Sequence, residues 1–315
     1  MASKCSNPDP GNPDEFCFQS SFPLRAGILF LSQIGLVSFA LAASLLIYSM
    51  RQAQKRYRRG FEYEPEPISV LFLFAISLDA IQGISNVMSV KWAFEGEVTE
   101  GSYCTAQAVM KQIGNDGVAW FTIAIAVLTY LRVFHPGFLR ERGEKIFMTA
   151  SISFVALFIF IMVLIPAATL YPYYGDTGLW CWIVKRKENS RLRIASEYAW
   201  MWLAVLVAIA AYGAIAYRLL RHSDLYIRPL MRRSAIAMGW YPIVYFVVVT
   251  PQSIVRFLQF QANQTHHGWM IFTSAIFSSG GTFNVVLWLW TGRRFGFSSQ
   301  DHEVSSLGDV ELDPA

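Results

Sequence analysis

The sequence predicts an all-α membrane protein: a bundle of seven transmembrane helices with the N-terminus outside and the C-terminus in the cytoplasm. Three observations carry this. Of 315 residues, 54% are apolar and only 15% charged, with 24 Phe and 10 Trp, too little charge to clothe a soluble domain of that length. Apolar stretches of about 20 residues, enough to cross ~30 Å of hydrocarbon, recur along the chain. Lys and Arg then fall unevenly between the loops, 16 on the side assigned to the cytoplasm and 9 on the other. That bias orients helices in a membrane.

The first segment, 1–25, is polar and rich in Pro and Asp, without the basic start and short apolar core of a cleaved signal. The first helix, about 26–50, is therefore expected to act as its own signal anchor. RQAQKRYRRG (51–60) follows it and gives the strongest single vote for a cytoplasmic loop. The second helix, about 68–90, carries Asp79, Gln82 and Asn86 at helical spacing. Asp79 lies ~16 Å from its start, near the midplane.

The third helix, 104–134, is the centre of the plan. Its second half is apolar, whereas its first half holds Gln107, Lys111, Gln112, Asn115 and Asp116. An ionisable group in hydrocarbon costs roughly 2.5–3.5 kcal/mol on insertion scales and so faces a bundle interior or a wet cavity. Lys111 and Asn115 share a face with Cys104 and Gln107. Asp116 reaches the depth of Asp79, which predicts a small polar core holding water, a cation or the Lys111 ammonium. The plainer alternative is a structural network that fixes helix packing.

The remaining helices are expected at about 146–171, 196–220, 234–258 and 268–291. Pro166 in the fourth, and Pro242 and Pro251 in the sixth, mark bends, because proline removes one backbone hydrogen bond and crowds the preceding turn. Ser278-Ser279-Gly280-Gly281-Thr282 in the seventh is small enough for close backbone approach. The core thus spans 26–294, and 295–315 is a short acidic cytoplasmic tail.

Cys5, Cys17, Cys104 and Cys181 all fall on the oxidising side, where disulfides persist. Four cysteines allow three pairings. The reading adopted joins Cys104 to Cys181 and leaves Cys5–Cys17 as a local clip. Asn263-Gln264-Thr265 is a glycosylation sequon in a short outer loop.

No enzyme motif is present: no GxxxxGK[ST], HExxH, GxSxG or CxxC. Neither catalysis, a cofactor, a metal nor a nucleic-acid partner is expected. A retinal pump would need a lysine in the seventh helix, and 268–291 contains none.

YGDTGLWCWI (174–183), RIASEYAWMW (193–202), YPIVYFVVVTPQSIVRF (241–257) and GGTFNVVLWLWTGRR (280–294) together resemble the fungal G-protein-coupled receptors of the cyclic-AMP-receptor-like and glucose-receptor-like group. The resemblance covers 26–294 and is strongest in the second half. It implies a plasma-membrane receptor that activates a heterotrimeric G protein towards adenylate cyclase and cAMP signalling. It also implies that Cys104–Cys181 is the disulfide of such receptors, with Trp180 and Trp182 bracing the loop lid. Arg132 becomes the arginine that meets the Gα subunit. It lacks the acidic neighbour of rhodopsin-like receptors, and Asn284 stands in FNVVLW rather than in an Asn-Pro-x-x-Tyr motif. Both departures argue against the rhodopsin-like class and leave the activation switch unassigned.

On this reading the ligand set is Lys111, Gln112, Asn115, Asp116, Arg256, Gln252 and Trp182, and the polar core is Asp79, Asn86 and Asn284. Lys185, Arg186, Lys187, Arg191 and Arg193 make the second outer loop basic, which we read as a solvated loop balanced by local acids. An anion-attracting vestibule leading to Lys111 and Arg256 is the alternative; for a sugar, Gln112, Asn115, Gln252 and aromatic faces would serve. Arg132, Arg140, Arg221, Arg232 and Arg233 form a basic cytoplasmic rim for Gα, facing anionic lipid as well. The reading from another class is a small-solute transporter or channel with a path through Lys111, Asp116 and Asp79.

Overall fold

The computed structural model describes residues 18–19, 21–60, 66–135, 141–170, 172–184, 193–221, 240–262 and 267–291. Within them run seven helices long and apolar enough to cross a membrane. These are α1 (Phe22–Arg58), α2 (Pro67–Glu95), α3 (Ser102–Phe134), α4 (Arg142–Thr169), α5 (Ile194–Arg218), α6 (Trp240–Gln259) and α7 (His267–Trp290). All seven stand where the apolar windows predict. The main difference is α1, which runs past residue 50 because RQAQKRYR consists mostly of good helix formers. Cys5, Cys17, Arg140, Lys185, Arg186, Lys187, Arg191, Arg232, Arg233, Asn263 and the tail lie outside the described residues, as does 234–239 of the expected sixth helix.

Helix α3 is the hub, packed against α2, α4 and α5. It buries Gln107, Gln112, Asn115 and Asp116 as well as Gly114, Gly117 and four of its five alanines. Helix α4 is the most peripheral: 17% of its apolar window is buried, against 50% for α2. Its exposed Phe154, Leu157, Phe160 and Ile161 form an apolar surface of the kind that faces lipid in a membrane bundle.

Small residues set the closest approaches. A Cβ on Gly83 would stand 2.9 Å from the Gly35 carbonyl oxygen, so α1 and α2 touch backbone to backbone. A Cβ on Gly281 would stand 3.0 Å from that of Asp79. The small stretch in α7 therefore draws that helix onto α2, and Asn284 Nδ2 donates to Asp79 Oδ2 at 2.8 Å.

Two helices widen locally into π turns, at Phe160–Leu164 just before Pro166 and at Ile194–Tyr198 opening α5. A π turn accommodates a residue that the regular ladder cannot place. In α5 it turns three consecutive residues, Ser196, Glu197 and Tyr198, into the interior. Pro251 lies inside α6, and Pro242 in the first turn of its described part.

Between α4 and α5 the chain forms a short antiparallel hairpin, β1 (Tyr174–Asp176) and β2 (Cys181–Ile183), with Gly175 opposite Trp182. Its turn is closed by the Gly178 N–H donating to the Asp176 carboxylate at 2.7 Å, and Gly178 takes φ 102°, a conformation that favours glycine. Every residue of both strands is buried. The Cys104–Cys181 disulfide, predicted above, is formed and pins β2 to the start of α3.

Candidate ligand chamber

Beneath the hairpin lies a cavity of about 30 Å³, lined among others by Asn86, Lys111, Trp180, Trp182, Glu197 and Arg256. A space of that size holds about two waters.

Its walls are built from six helices, all but α4, and the hairpin. Lys111 on α3 donates from Nζ to Asn86 Oδ1 on α2 at 2.8 Å. Its ammonium also stands 5.0 Å from the centroid of the Trp180 ring. Arg256 on α6 lies against the same ring, its guanidinium carbon 4.7 Å from the Trp180 centroid and 5.4 Å from that of Trp182. Two cations thus share one indole, an attraction that strengthens where water is excluded.

Glu197 is the counter-charge, and the π turn of α5 delivers it. It accepts from Asn115 Nδ2 at 2.6 Å and from Trp182 Nε1 at 2.5 Å. Asn115 in turn accepts from Gln82 Nε2 at 2.6 Å, so α2, α3, α5 and the hairpin are joined in one chain. Gln252 accepts from Thr273 at 2.9 Å and Ser274 at 3.1 Å, which ties α6 to α7 along the chamber wall.

Gln107 sits beside the disulfide as an anchor. It accepts from Trp92 Nε1 and from the Cys181 N–H, and donates to the Ser85 carbonyl and Ser89 hydroxyl. All four hydrogen-bonding positions of its amide are used.

The predicted ligand set is therefore divided. Lys111, Asn115, Trp182, Gln252 and Arg256 meet in the chamber. Gln112 instead accepts from the Tyr174 hydroxyl at 2.5 Å and donates to the Ser196 carbonyl at 3.3 Å, bracing the hairpin. Asp116 is fully buried outside the chamber lining, its carboxyl oxygens without a hydrogen-bond partner. The polar core divides too: Asp79 pairs with Asn284, while Asn86 holds Lys111. The Lys111 ammonium does not bridge the two acids, because Asn86, two turns beyond Asp79 on α2, lies nearer its level. Glu197 is the residue that sequence reasoning missed. It is the one acid in the apolar window of α5, and an ionisable group there is itself the signal.

At the opposite end, Arg132 forms a bidentate pair with Glu144 of α4, at 2.8 and 2.6 Å, and a third bond to Glu66 at 2.5 Å. The acidic partner absent from its neighbour in sequence is thus supplied from elsewhere. Arg218 Nη1 donates to the Val133 carbonyl at 2.9 Å, and Arg221 is exposed beside Tyr217. A second cavity of about 90 Å³ opens in this half, between Phe72, Tyr212, Tyr241, Tyr245 and Trp288.

Neither a protein-family model nor a curated protein sequence matches the chain. Among solved structures it is similar to squid rhodopsin, with a TM-score of 0.65 over 96% of this chain and 93% of that one. The chain has the seven-helix fold of squid rhodopsin. At 12% identity the likeness concerns the path of the backbone and the packing of the helices, not the chemistry of the chamber. It establishes a multi-pass membrane architecture for the chain.

Proposed function

We propose that the protein is a G-protein-coupled receptor of the plasma membrane. It senses a small extracellular molecule in the chamber and activates a heterotrimeric Gα subunit at the opposite end, feeding adenylate cyclase. The observation that carries this reading is the chamber with its buried charged and polar side chains, beneath a disulfide-tied hairpin, on a rhodopsin-like bundle. The resemblance to fungal cyclic-AMP-receptor-like and glucose-receptor-like proteins supports the G protein and the cAMP pathway. With the disulfide outside, the N-terminus is extracellular and the Arg132 cluster faces the cytoplasm. A ligand acts here only through different affinities for two arrangements of the bundle. Gln252, which joins α6 to α7 at the chamber wall, is placed to feel it.

The test is guanine-nucleotide exchange on candidate Gα subunits by the full chain in lipid discs, wild type against Arg132→Ala. Exchange that the substitution abolishes supports the reading; no exchange on any Gα overturns it.

One observation favours a solute pathway as a second reading. A small cavity of about 30 Å³, lined by Asp79, Asn115, Tyr245 and Asn284 among others, shares walls with both the chamber and the opposite cavity. Asp116 lines none of the three. Solute flux into vesicles, with no exchange on Gα, is the outcome that this reading requires.

A further inference from the structure

The hydrogen-bonding inventory of the chamber is lopsided. Each of these acceptors already has a partner: both oxygens of Glu197 have Asn115 and Trp182, Asn86 Oδ1 has Lys111, and Gln252 Oε1 has Thr273 and Ser274. Not all of the donors do. Asn86 Nδ2 and Arg256 Nε are both buried without a partner. Arg256 sends Nη1 to Gln259 and interacts with Tyr198, and neither contact uses Nε. Lys111 carries three N–H groups, of which one goes to Asn86.

Charge runs the same way. Lys111 and Arg256 bring two positive charges to the lining, and Glu197 one negative. Buried donors without partners are unfavourable until an acceptor arrives. A neutral sugar brings no charge to set against the two cations, and its ring with several hydroxyls is larger than a space for about two waters. An oxyanion brings acceptors only. The volume, about two waters, suits the two oxygens of a carboxylate better than the larger tetrahedron of a phosphate.

We propose that the chamber binds the carboxylate group of a small extracellular anion. Lys111 and Arg256 supply the counter-charge, and Asn86 Nδ2 and Arg256 Nε donate to its oxygens. The word extracellular rests on the receptor reading above; the site itself does not.

Formate is the smallest probe, formamide its neutral isostere, and inorganic phosphate the competing oxyanion. The full chain in lipid discs is titrated with each at constant ionic strength, following tryptophan fluorescence, which Trp180 and Trp182 report, and thermal unfolding. Formate is expected to give a saturable change in both, and formamide none. Lys111→Met and Arg256→Gln weaken formate by at least about ten-fold, since each removes one partner of a charged contact. Lys111→Arg retains it within a few-fold, and Asn86→Asp, which replaces a donor by a like charge, abolishes it. If Lys111→Met or Arg256→Gln does not fold, the comparison of Lys111→Arg with Asn86→Asp decides. No saturable formate response, an equal response to formamide, phosphate binding without formate binding, or full affinity in Asn86→Asp overturns the proposal. Nucleotide exchange on Gα without formate binding sinks this inference alone. Formate binding without exchange on any Gα sinks the receptor reading and leaves the site standing.

Discussion

Asn115 donates to Glu197 across 2.6 Å, joining the polar half of α3 to the π turn of α5. The two residues are 82 apart in the chain, and each has a further partner, Gln82 for Asn115 and Trp182 for Glu197. Hydrogen bonds in such a buried network polarise and stiffen one another, and losing one member leaves its partners short of a bond.

Glu197→Gln tests that network. The amide keeps one acceptor but sets an N–H against either Asn115 or Trp182, both donors. We expect a loss of about 1–3 kcal/mol, the usual cost of stranding a buried polar group. Thermal unfolding of the detergent-solubilised protein measures it, and an unchanged midpoint would show that the network contributes nothing.

The disulfide closes a separation of 77 residues. Chain-entropy arguments give about 4.5 kcal/mol for a loop of that size, an upper figure because helices already threaded through a membrane are less free than a coil. Cys104→Ser should therefore unfold at a clearly lower temperature, and reductant should bring the wild type to the same midpoint. A wild type indifferent to reductant would contradict this.

The Arg132 cluster makes an asymmetric prediction. Glu144 binds Arg132 through two bonds and its side chain is 18% exposed, whereas the Glu66 side chain is 43% exposed. Exposed pairs contribute about 0–1 kcal/mol; shielded ones cost more to break. Glu144→Gln should thus destabilise the protein measurably more than Glu66→Gln. On the receptor reading it should also raise basal nucleotide exchange by freeing Arg132. Equal effects from the two variants would mean that the bidentate geometry contributes nothing.

Glycine packing supplies a contrast. Gly83→Ala puts a methyl 2.9 Å from the Gly35 carbonyl and 3.0 Å from the Phe39 Cβ, both backbone or near it, so α1 and α2 must part. Gly213→Ala meets nothing within 4 Å and should be neutral or stabilise by up to about 1 kcal/mol through helix propensity. The yield of monodisperse protein compares them.

Alkaline pH probes the hairpin. Burial pushes the hydroxyls of Tyr174 and Tyr173 above the ordinary tyrosine value, with neighbouring phenol and carboxylate groups adding to the effect. A group whose folded pKa is raised contributes stability that is complete below its unfolded pKa, about 10. That contribution is lost as pH rises from there through the folded value. Stability should be flat in this term up to about pH 10 and fall above it. Tyr174→Phe should shallow the fall, and a slope the same in both proteins would assign the alkaline loss to other groups.

The sequence by itself determined what hydrocarbon imposes. Seven apolar windows of spanning length, the central place of Cys104–Phe134, and the inward turn of Lys111, Asn115 and Asp116 all follow from the cost of polar groups in lipid. That cost is local, and it is read one residue at a time. What only the tertiary structure decided is which polar group meets which. Asn86 met Lys111 rather than Asp79; Gln112 went to the hairpin; Glu197 entered the chamber only because a π turn rotated it inward. Arg132 found its acids on α4 and just before α2. Such pairings depend on the rotation and height of each helix against its neighbours. Contacts such as Gly35 on Gly83 and Gly281 on Asp79 set those heights. Helical periodicity gives the face of a residue, but not the residue that will stand opposite it.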